Sequence, residues 1–272
     1  MTTPVTVYKN AYFDPADTHY MLSNLSSISS ADECLCQCYN SMICFTANYF
    51  DTTHECLLFF AQLNQGQLRL ASNTVNTTVY SFGNNSNKNV TLFQQTNENV
   101  YDIWNTTAGS DSIYAVSGYS VGSYYPDQPA QAAFDGNLTT VACNYGPCSY
   151  GSESQTCGEN TGFYLTMNSG PKVLTGFHMG SASESWTRVR DPMTITIEGS
   201  NSNGLALTLG SSWTLIYNGS AGFITDPGRS AWGTLQLILN PSIAFASYRL
   251  LVTSKEGIES CASYSEILFF MY

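Results

Sequence analysis

Hydrophobic and polar positions alternate in short runs along most of the chain, and one segment of the first half has a helical start signal. Ser30-Ala31-Asp32-Glu33 has the form of a capping box, in which Ser30 is the N-cap and Glu33 the third helical residue. It predicts a short helix through Glu33–Asn40. The runs CFTANYF, CLLFFAQL and TTVYSF, which come after it, are rich in aromatic and β-branched residues and predict strands.

The second half has little helical periodicity and a series of short β-type runs separated by turn residues. These runs are GFYLTM, VLTGFHMG, MTITIEGS, WTLIYN, LQLIL, YRLLVTS and EILFFMY. They predict an antiparallel sandwich or barrel. We therefore expect a mainly β fold class, in which a small α+β domain is followed by an antiparallel β-sandwich.

A polar segment without cysteine, NNSNKNVTLFQQTNENV, separates the two halves and has the composition of a linker. We predict a first domain over residues 1–83, a linker over residues 84–100 and a second domain over residues 101–272.

Composition and charge exclude several classes of function. Of the 272 residues, 43% are hydrophobic and 11% are charged, and the net charge is -11. Because the chain is acidic and has no Lys/Arg cluster, it is not expected to bind nucleic acid. No apolar run reaches the roughly 18–20 residues of a membrane helix, so no membrane insertion is expected. The N-terminus MTTPVTVYKN lacks signal-peptide features, which indicates that the numbering starts at a mature end or that this is a piece of a longer chain.

Five of the nine cysteines are concentrated in the first half, in ECLCQCYNSMIC and at Cys56. On a helix, Cys34 and Cys38 share one face and Cys36 lies on the opposite side. This arrangement does not suit a four-ligand zinc site, and the helix lacks the C-x-x-C spacing of a thioredoxin-like centre. It favours two disulfides, each joining Cys34 or Cys38 to a strand that carries Cys44 or Cys56.

Seven asparagines open an N-x-S/T triplet without proline, the acceptor pattern for N-glycosylation. They are Asn24, Asn76, Asn84, Asn89, Asn105, Asn137 and Asn218. Together with nine cysteines and few charges, these triplets predict a secreted extracellular glycoprotein.

The segment ECLCQCYNSMICFTANYF...CLLF resembles the PAN/apple family, whose pattern is E-C-x-x-x-C, then C-x-x-F-x-Y, then C-x-L. The resemblance covers about residues 28–82 and implies a curved antiparallel sheet that cradles one helix. The family's pairing, transferred to these positions, implies Cys38–Cys44 inside Cys34–Cys56. Cys36 has no counterpart in the pattern, so we expect a free thiol, an intermolecular link or a link to the second domain.

The chain from about residue 110 onward resembles the discoidin, or coagulation factor V/VIII C-type, family. The matching pieces, in order, are AFDGNLTT, Arg190-Asp191-Pro192 with MTITIEGSNS, Trp213-Thr214, and YRLLVTSKEG...CASYSEILFF. The resemblance implies a galactose-binding-like β-sandwich with a jelly-roll topology. The insert CNYGPCSYGSESQTC departs from the family pattern near the loops where relatives bind ligands.

Many relatives bind calcium at the turn that AFDGN forms. The corresponding residues here are Asp135, Asn137, Thr140 and Glu266. Carboxylate and carbonyl oxygens are the ligands that calcium prefers, so the resemblance implies one calcium ion. The alternative is a solvated turn without metal, since a glycosylated Asn137 side chain could not be a ligand.

If Glu266 meets Asp135, then Cys261 lies near the insert, and the remaining four cysteines allow three pairings. We predict Cys143–Cys148, which closes the small loop, and Cys157–Cys261, which ties the insert to the last turn.

No catalytic signature accompanies these features. His19, His54 and His178 belong to no nucleophile motif, no metalloprotease motif or phosphate-binding loop is present, and no carboxylate pair stands out as a glycosidase dyad. We predict a non-enzymatic protein with no catalytic residues.

A saccharide site needs an aromatic plate beside hydrogen-bonding groups. Candidates near the expected loop end are Tyr124, Tyr125, Tyr145, His178, Trp186 and Arg188. Each could equally be a packing residue, and Arg190 is expected to have a structural role.

Two functions fit these observations. The favoured one is a structural or adhesive extracellular protein that contacts itself or other extracellular proteins, for example as a filament or matrix subunit. The alternative is a soluble lectin-like protein that binds glycans through the discoidin loops, with calcium as a brace.

Overall fold

The computed structural model describes residues 5–16, 18–41, 43–71, 76–82, 91–93, 99–184, 187–239 and 241–272. The chain divides into two compact units, Met1–Val90 and Thr91–Tyr272. The second unit therefore begins inside the segment predicted as a linker, most of which lies outside the described residues. No helix in the described ranges is long and apolar enough to cross a membrane.

The first unit is an antiparallel sheet with a helix packed against it. Its elements are β1 (Val5–Lys9), β2 (Ala11–Pro15), β3 (Met21–Leu25), α1 (Ala31–Asn40), β4 (Thr46–Phe50), β5 (Glu55–Phe59), β6 (Gly66–Leu70) and β7 (Thr77–Phe82). Five strands form one sheet in the order β1-β7-β4-β5-β3, and β2 pairs with β6. The predicted helix and all three predicted strands of the first half are therefore confirmed.

Local chemistry determines where α1 begins. The Ser30 hydroxyl accepts a hydrogen bond from the Glu33 backbone N–H at 3.2 Å, as expected of an N-cap. The Glu33 carboxylate, however, accepts from the backbone N–H and the hydroxyl of Ser29, at 2.8 and 2.6 Å, rather than from Ser30. These hydrogen bonds lower the pKa of Glu33.

The cysteines of α1 attach the helix to the sheet. The disulfides are Cys34–Cys56 and Cys38–Cys44, with Cα–Cα distances of 5.6 and 5.1 Å, and both predicted pairs are confirmed. All four cysteines are buried in the same core cluster. Cys36, on the opposite face of the helix, is exposed and forms no disulfide within the described residues, which leaves a free thiol or a link to another chain as its state.

The second unit is a β-sandwich. Its strands are β8 (Thr91–Phe93), β9 (Val100–Trp104), β10 (Ile113–Tyr114), β11 (Val116–Ser117), β12 (Ser123–Tyr124), β13 (Ala142–Asn144), β14 (Thr161–Thr166), β15 (Leu174–Met179), β16 (Pro192–Ser200), β17 (Thr214–Ser220), β18 (Gln236–Leu237), β19 (Ser247–Lys255), β20 (Ala262–Tyr264) and β21 (Ile267–Met271). Short 3₁₀ helices cover Ala130–Phe134, Thr187–Arg190, Gly204–Thr208 and Gly210–Ser212.

The core of the second unit lies between a six-stranded sheet, β10-β9-β14-β19-β16-β17, and a four-stranded sheet, β18-β15-β21-β8. Alternate residues of each strand point into this core, for example Ile195 and Ile197 from β16 and Ile267 and Phe269 from β21. Every run that predicted a strand forms one, although LQLIL is reduced to the two residues of β18. The predicted mainly β fold class is therefore confirmed.

Candidate functional site

Two disulfides hold the insert of the second unit, and their pairing differs from our prediction. The structure joins Cys143 to Cys261 and Cys148 to Cys157, with Cα–Cα distances of 5.9 and 5.2 Å. The predicted pairs Cys143–Cys148 and Cys157–Cys261 were wrong because β13 and β20 are antiparallel neighbours. Their register sets Cys143 opposite Ser263, which brings Cys261 within diagonal reach of Cys143.

Backbone hydrogen bonds hold the aromatic residues around this insert. The N–H groups of Tyr125, Tyr145 and Tyr150 donate to the carbonyls of Cys143, Ser123 and Tyr119, at 2.9, 3.0 and 2.9 Å. At Gly158, where φ is +82°, a Cβ atom would lie 2.0 Å from the backbone nitrogen of Ala262. The insert thus packs directly against β20, and a side chain at position 158 would displace it.

A cavity of about 220 Å³ lies beside the insert. Three tyrosines, four polar residues and one disulfide-bonded cysteine line it: Tyr125, Tyr145, Tyr150, Gln128, Glu184, Arg190, Ser260 and Cys143. The Tyr125 and Tyr150 ring centroids are 6.1 Å apart with planes inclined by 51°, and Tyr145 meets Tyr150 at 6.4 Å and 79°. Inclined and edge-to-face arrangements of this kind are favourable contacts between aromatic rings. We call this cavity the tyrosine pocket.

Buried polar groups of the tyrosine pocket are left without partners. The Tyr145 side chain is 1% exposed, and its hydroxyl has no hydrogen-bond partner among the described residues. Burial, with the nearby Tyr125 hydroxyl, raises the pKa of Tyr145, so the phenol stays protonated and can donate. Arg190 forms an ion pair with Glu259 at 2.8 Å. Its Nε is nevertheless buried and has no hydrogen-bond partner within the part of the chain that the structure describes. A buried polar group without a partner costs about 1–3 kcal/mol, which a ligand that supplies the missing hydrogen bond would recover.

Two of the six predicted ligand residues, Tyr125 and Tyr145, line the pocket. Three others are engaged elsewhere. Tyr124 lies in β12, where it pairs with the β13 backbone. His178 is buried in β15, where it stacks on Trp232 at 4.9 Å and bonds the Gly233 carbonyl.

Arg188 forms ion pairs with Asp226 at 2.8 Å and with Glu256 at 3.2 Å, and it does not line the pocket. Trp186 lies outside the described residues. Arg188 therefore lies outside this cavity, whereas Arg190, which was expected to be structural, both forms an ion pair and lines the pocket.

Sequence reasoning missed Tyr150, Gln128 and Glu184. Tyr150 could have been found, because it is the aromatic residue of the loop that Cys148 and Cys157 close. Gln128 and Glu184 carry no local signal, since folding brings them together from loops more than fifty residues apart.

The four residues predicted as calcium ligands lie close together in the structure. The Asn137 backbone N–H lies 2.8 Å from Asp135 Oδ1 and 2.9 Å from Glu266 Oε1, and the Thr140 hydroxyl lies 3.1 Å from Asp135 Oδ1. Glu266 is fully buried. Burial and a hydrogen bond with the Asp135 carboxyl raise the pKa of Glu266 to about 8.

The oxygen set for calcium is smaller than the sequence implies. The Asn137 side chain turns away, and its oxygen accepts from the N–H and hydroxyl of Thr139, at 3.0 and 2.8 Å. Among the described residues, no group of three or more His, Cys, Asp or Glu side chains could hold a metal ion. The Asp135 and Glu266 carboxyl groups are neighbours, and one oxygen of Glu266 is buried without a hydrogen-bond partner among the described residues.

Residues 8–94 match the family model described as PAN domain. The predicted PAN/apple domain is therefore confirmed, and it extends further on both sides than residues 28–82. Among curated proteins, none matches the chain.

Several solved structures are similar in fold. One contains two family 32 carbohydrate-binding modules of a Clostridium perfringens protein in complex with GalNAc, with 14% identity, 68% of this chain and 36% of that chain covered, and a TM-score of 0.42. Another is a family 32 carbohydrate-binding module from a family 31 glycoside hydrolase of the same organism. It has 15% identity and a TM-score of 0.41, and the match covers 61% of this chain and 94% of that chain. An F5/8 type C domain from Bacteroides fragilis has 14% identity and a TM-score of 0.36, and the match covers 53% of this chain and 81% of that chain. The chain spans about a third of the length of the first of these structures.

Proposed function

We propose that this protein binds saccharides in the tyrosine pocket and catalyses no reaction on them. One observation carries the proposal: a single cavity is lined by aromatic rings together with Tyr145 and Arg190, whose hydroxyl and Nε are buried without hydrogen-bond partners among the described residues. A sugar has an apolar C–H face that packs on aromatic rings and hydroxyl groups that exchange hydrogen bonds.

The size and charge of the pocket narrow the ligand class. Pockets for drug-sized molecules hold about 300–1,000 Å³, whereas this cavity holds about 220 Å³. It suits one sugar residue at the end of a chain, with the rest of the glycan outside. Glu259 neutralises Arg190, Glu184 lies nearby, and the whole chain carries a net charge of -11. A neutral sugar is therefore expected to bind better than an acidic one.

Substitution of Tyr150 tests the pocket. Its side chain is 63% exposed, so Tyr150→Ala removes one ring of the pocket at little cost in stability. Loss of one aromatic contact of about 1–1.5 kcal/mol should weaken binding roughly tenfold. Tyr39→Ala, which removes a tyrosine of the first unit that is 51% exposed, is the matched control and should bind like the unmodified protein.

The measurement is a glycan array of neutral and sialylated glycans, followed by calorimetric titration of the best neutral ligand. Absence of binding to any neutral glycan, or equal affinities of Tyr150→Ala and Tyr39→Ala, would refute the proposed site.

We further propose that one calcium ion binds in the second unit, between the turn that contains Asp135 and the neighbouring Glu266. Bound calcium would supply positive charge between the two carboxyl groups and take the place of the proton that Glu266 holds. Thr140 and backbone carbonyls of the turn would add oxygens, and water would complete the six to eight that calcium takes. A turn held by calcium would also stabilise the 3₁₀ helix Ala130–Phe134, which directly precedes it.

The disulfides and the exposed acceptor triplets support a location outside the cell, where disulfides persist. A structural or adhesive protein that associates with itself or with other extracellular proteins is the second candidate function. The exposed thiol of Cys36 favours it, because it could join two chains. A non-reducing gel of the native protein beside Cys36→Ser tests this candidate, which predicts a dimer band that the substitution removes.

A further inference from the structure

The free edges of the two large sheets are protected unequally. Among the described strands, the five-stranded sheet ends in β1 and β3, and the six-stranded sheet ends in β10 and β17. An edge strand presents unpaired N–H and C=O groups on which a strand of another chain can dock. β10 contains two residues and β1 carries Lys9, and short length and lysine are both devices that discourage such docking.

β3 and β17 have neither device. Their sequences, MLSNL and TLIYNGS, contain no charged residue. Each exposes an apolar side chain, Met21 at 39% and Leu215 at 52%. Each also has one register irregularity, between Met21 and Ser23 in β3 and opposite Ile197/Glu198 in β17. The remainder of each strand is regular and open to pairing.

The asparagine of an acceptor triplet lies in the regular part of each strand. Asn24 lies in β3 opposite Leu57, and Asn218 lies in β17 opposite Thr196. Both asparagines are exposed. The other triplet asparagines within the described residues, Asn76, Asn105 and Asn137, are exposed in turns and loops. Both triplet asparagines that lie within a described strand are thus on the two edges that have neither protective device.

We propose that Asn24 and Asn218 carry N-linked oligosaccharides whose function is to cover the free edges of β3 and β17. The side-chain amide nitrogen forms a bond to C1 of an oligosaccharide held on a lipid diphosphate. The C1–O bond to the diphosphate breaks, and the amide loses one proton. The attached glycan is bulky and hydrated, whereas a docking strand must approach to about 4.8 Å. The two cannot occupy the same edge.

This device suits the composition of the chain. With 11% charged residues, the protein has few lysines or glutamates to place on edges, and a glycan supplies the same protection without charge. The proposal does not depend on saccharide binding in the tyrosine pocket. If glycans cover both edges, any self-association of the protein must use surfaces other than β3 and β17.

The test uses the full chain secreted from a host that performs N-glycosylation. Ser26→Ala and Ser220→Ala abolish the two triplets and leave both asparagines in place, and Ser26→Thr and Ser220→Thr are matched controls that retain them. Asn76→Gln removes a glycan outside the edges. Glycopeptide mass spectrometry measures occupancy, and size-exclusion chromatography with light scattering measures the oligomer fraction across a concentration series.

We expect both sites to be occupied, and each Ser→Ala variant to show at least a threefold higher oligomer fraction than its Ser→Thr counterpart and than Asn76→Gln. Ser220 also accepts a hydrogen bond from the Gly222 N–H, which Ser220→Ala removes together with the triplet. Adding Leu215→Lys to the Ser220→Ala chain separates edge pairing from misfolding as the cause of oligomers. A lysine on the edge should return that variant to the control level if edge pairing is the cause. Unoccupied sites, Ser→Ala variants no more oligomeric than Asn76→Gln, or failure of Leu215→Lys to rescue would each overturn the proposal.

Discussion

The two disulfides of the second unit should contribute very different amounts to its stability. Cys148–Cys157 joins residues 9 apart in sequence, and Cys143–Cys261 joins residues 118 apart. We compare the double variant Cys148→Ala/Cys157→Ala with Cys143→Ala/Cys261→Ala. Each removes one crosslink and leaves the other in place.

The magnitude follows from the loops that the disulfides close in the unfolded chain. The loop-entropy relation gives about 2.5–3 kcal/mol for the short loop and about 5 kcal/mol for the long one. The second double variant should therefore lose about 2 kcal/mol more of the free energy of unfolding than the first. Cys143 and Cys261 are both buried, so loss of their packing adds to this difference.

Intrinsic fluorescence during urea unfolding provides the measurement, because all four tryptophans, Trp104, Trp186, Trp213 and Trp232, belong to the second unit. The signal therefore reports this unit and not the PAN domain. The Cys148→Ala/Cys157→Ala variant should also bind saccharide more weakly while still folded, since its loop positions Tyr150.

Equal losses of stability in the two double variants would refute the loop-entropy reasoning. Peptide mapping of the unmodified protein that found Cys143 bonded to Cys148 would remove the premise itself.

Three further predictions concern the second unit. Arg249→Met should lower the free energy of unfolding, measured in urea, by about 3–5 kcal/mol, because it leaves the buried Glu198 carboxylate without the guanidinium that now lies 2.7 Å from it. Adding Glu198→Met should recover part of that loss, and fully additive losses would contradict the reasoning. Burial raises the pKa of Asp102 to about 7, so the folded state holds this proton more tightly than the unfolded state. Stability should therefore fall as pH rises from about 4 to 7, and Asp102→Asn should flatten that fall in unfolding curves at pH 5 and pH 7.5; an unchanged pH dependence would count against it. Calcium should raise the melting temperature of the protein but not of Glu266→Gln, and no rise in the unmodified protein would exclude the calcium site.

The sequence determined the parts of this protein that depend on neighbouring residues. Ser30 and Glu33 defined the start of α1, because a helix cap is made within four residues. Alternation in runs such as MTITIEGS identified the strands, since side chains of a strand point to opposite faces in turn. The ECLCQC pattern placed Cys34 and Cys38 on one helix face and Cys36 on the other, and the family resemblance then supplied the correct disulfides.

Tertiary structure decided everything that depends on which distant segments become neighbours. The register of β13 with β20 paired Cys143 with Cys261, and no local pattern records that register. The tyrosine pocket joins Tyr125, Tyr150 and Arg190 from segments that are far apart in the chain. Which strands become sheet edges is likewise a property of the assembled sheet, so the positions of Asn24 and Asn218 acquired meaning only once the strand order was known. Periodicity reflects contacts within a few residues, whereas strand order and register arise from the packing of the whole core.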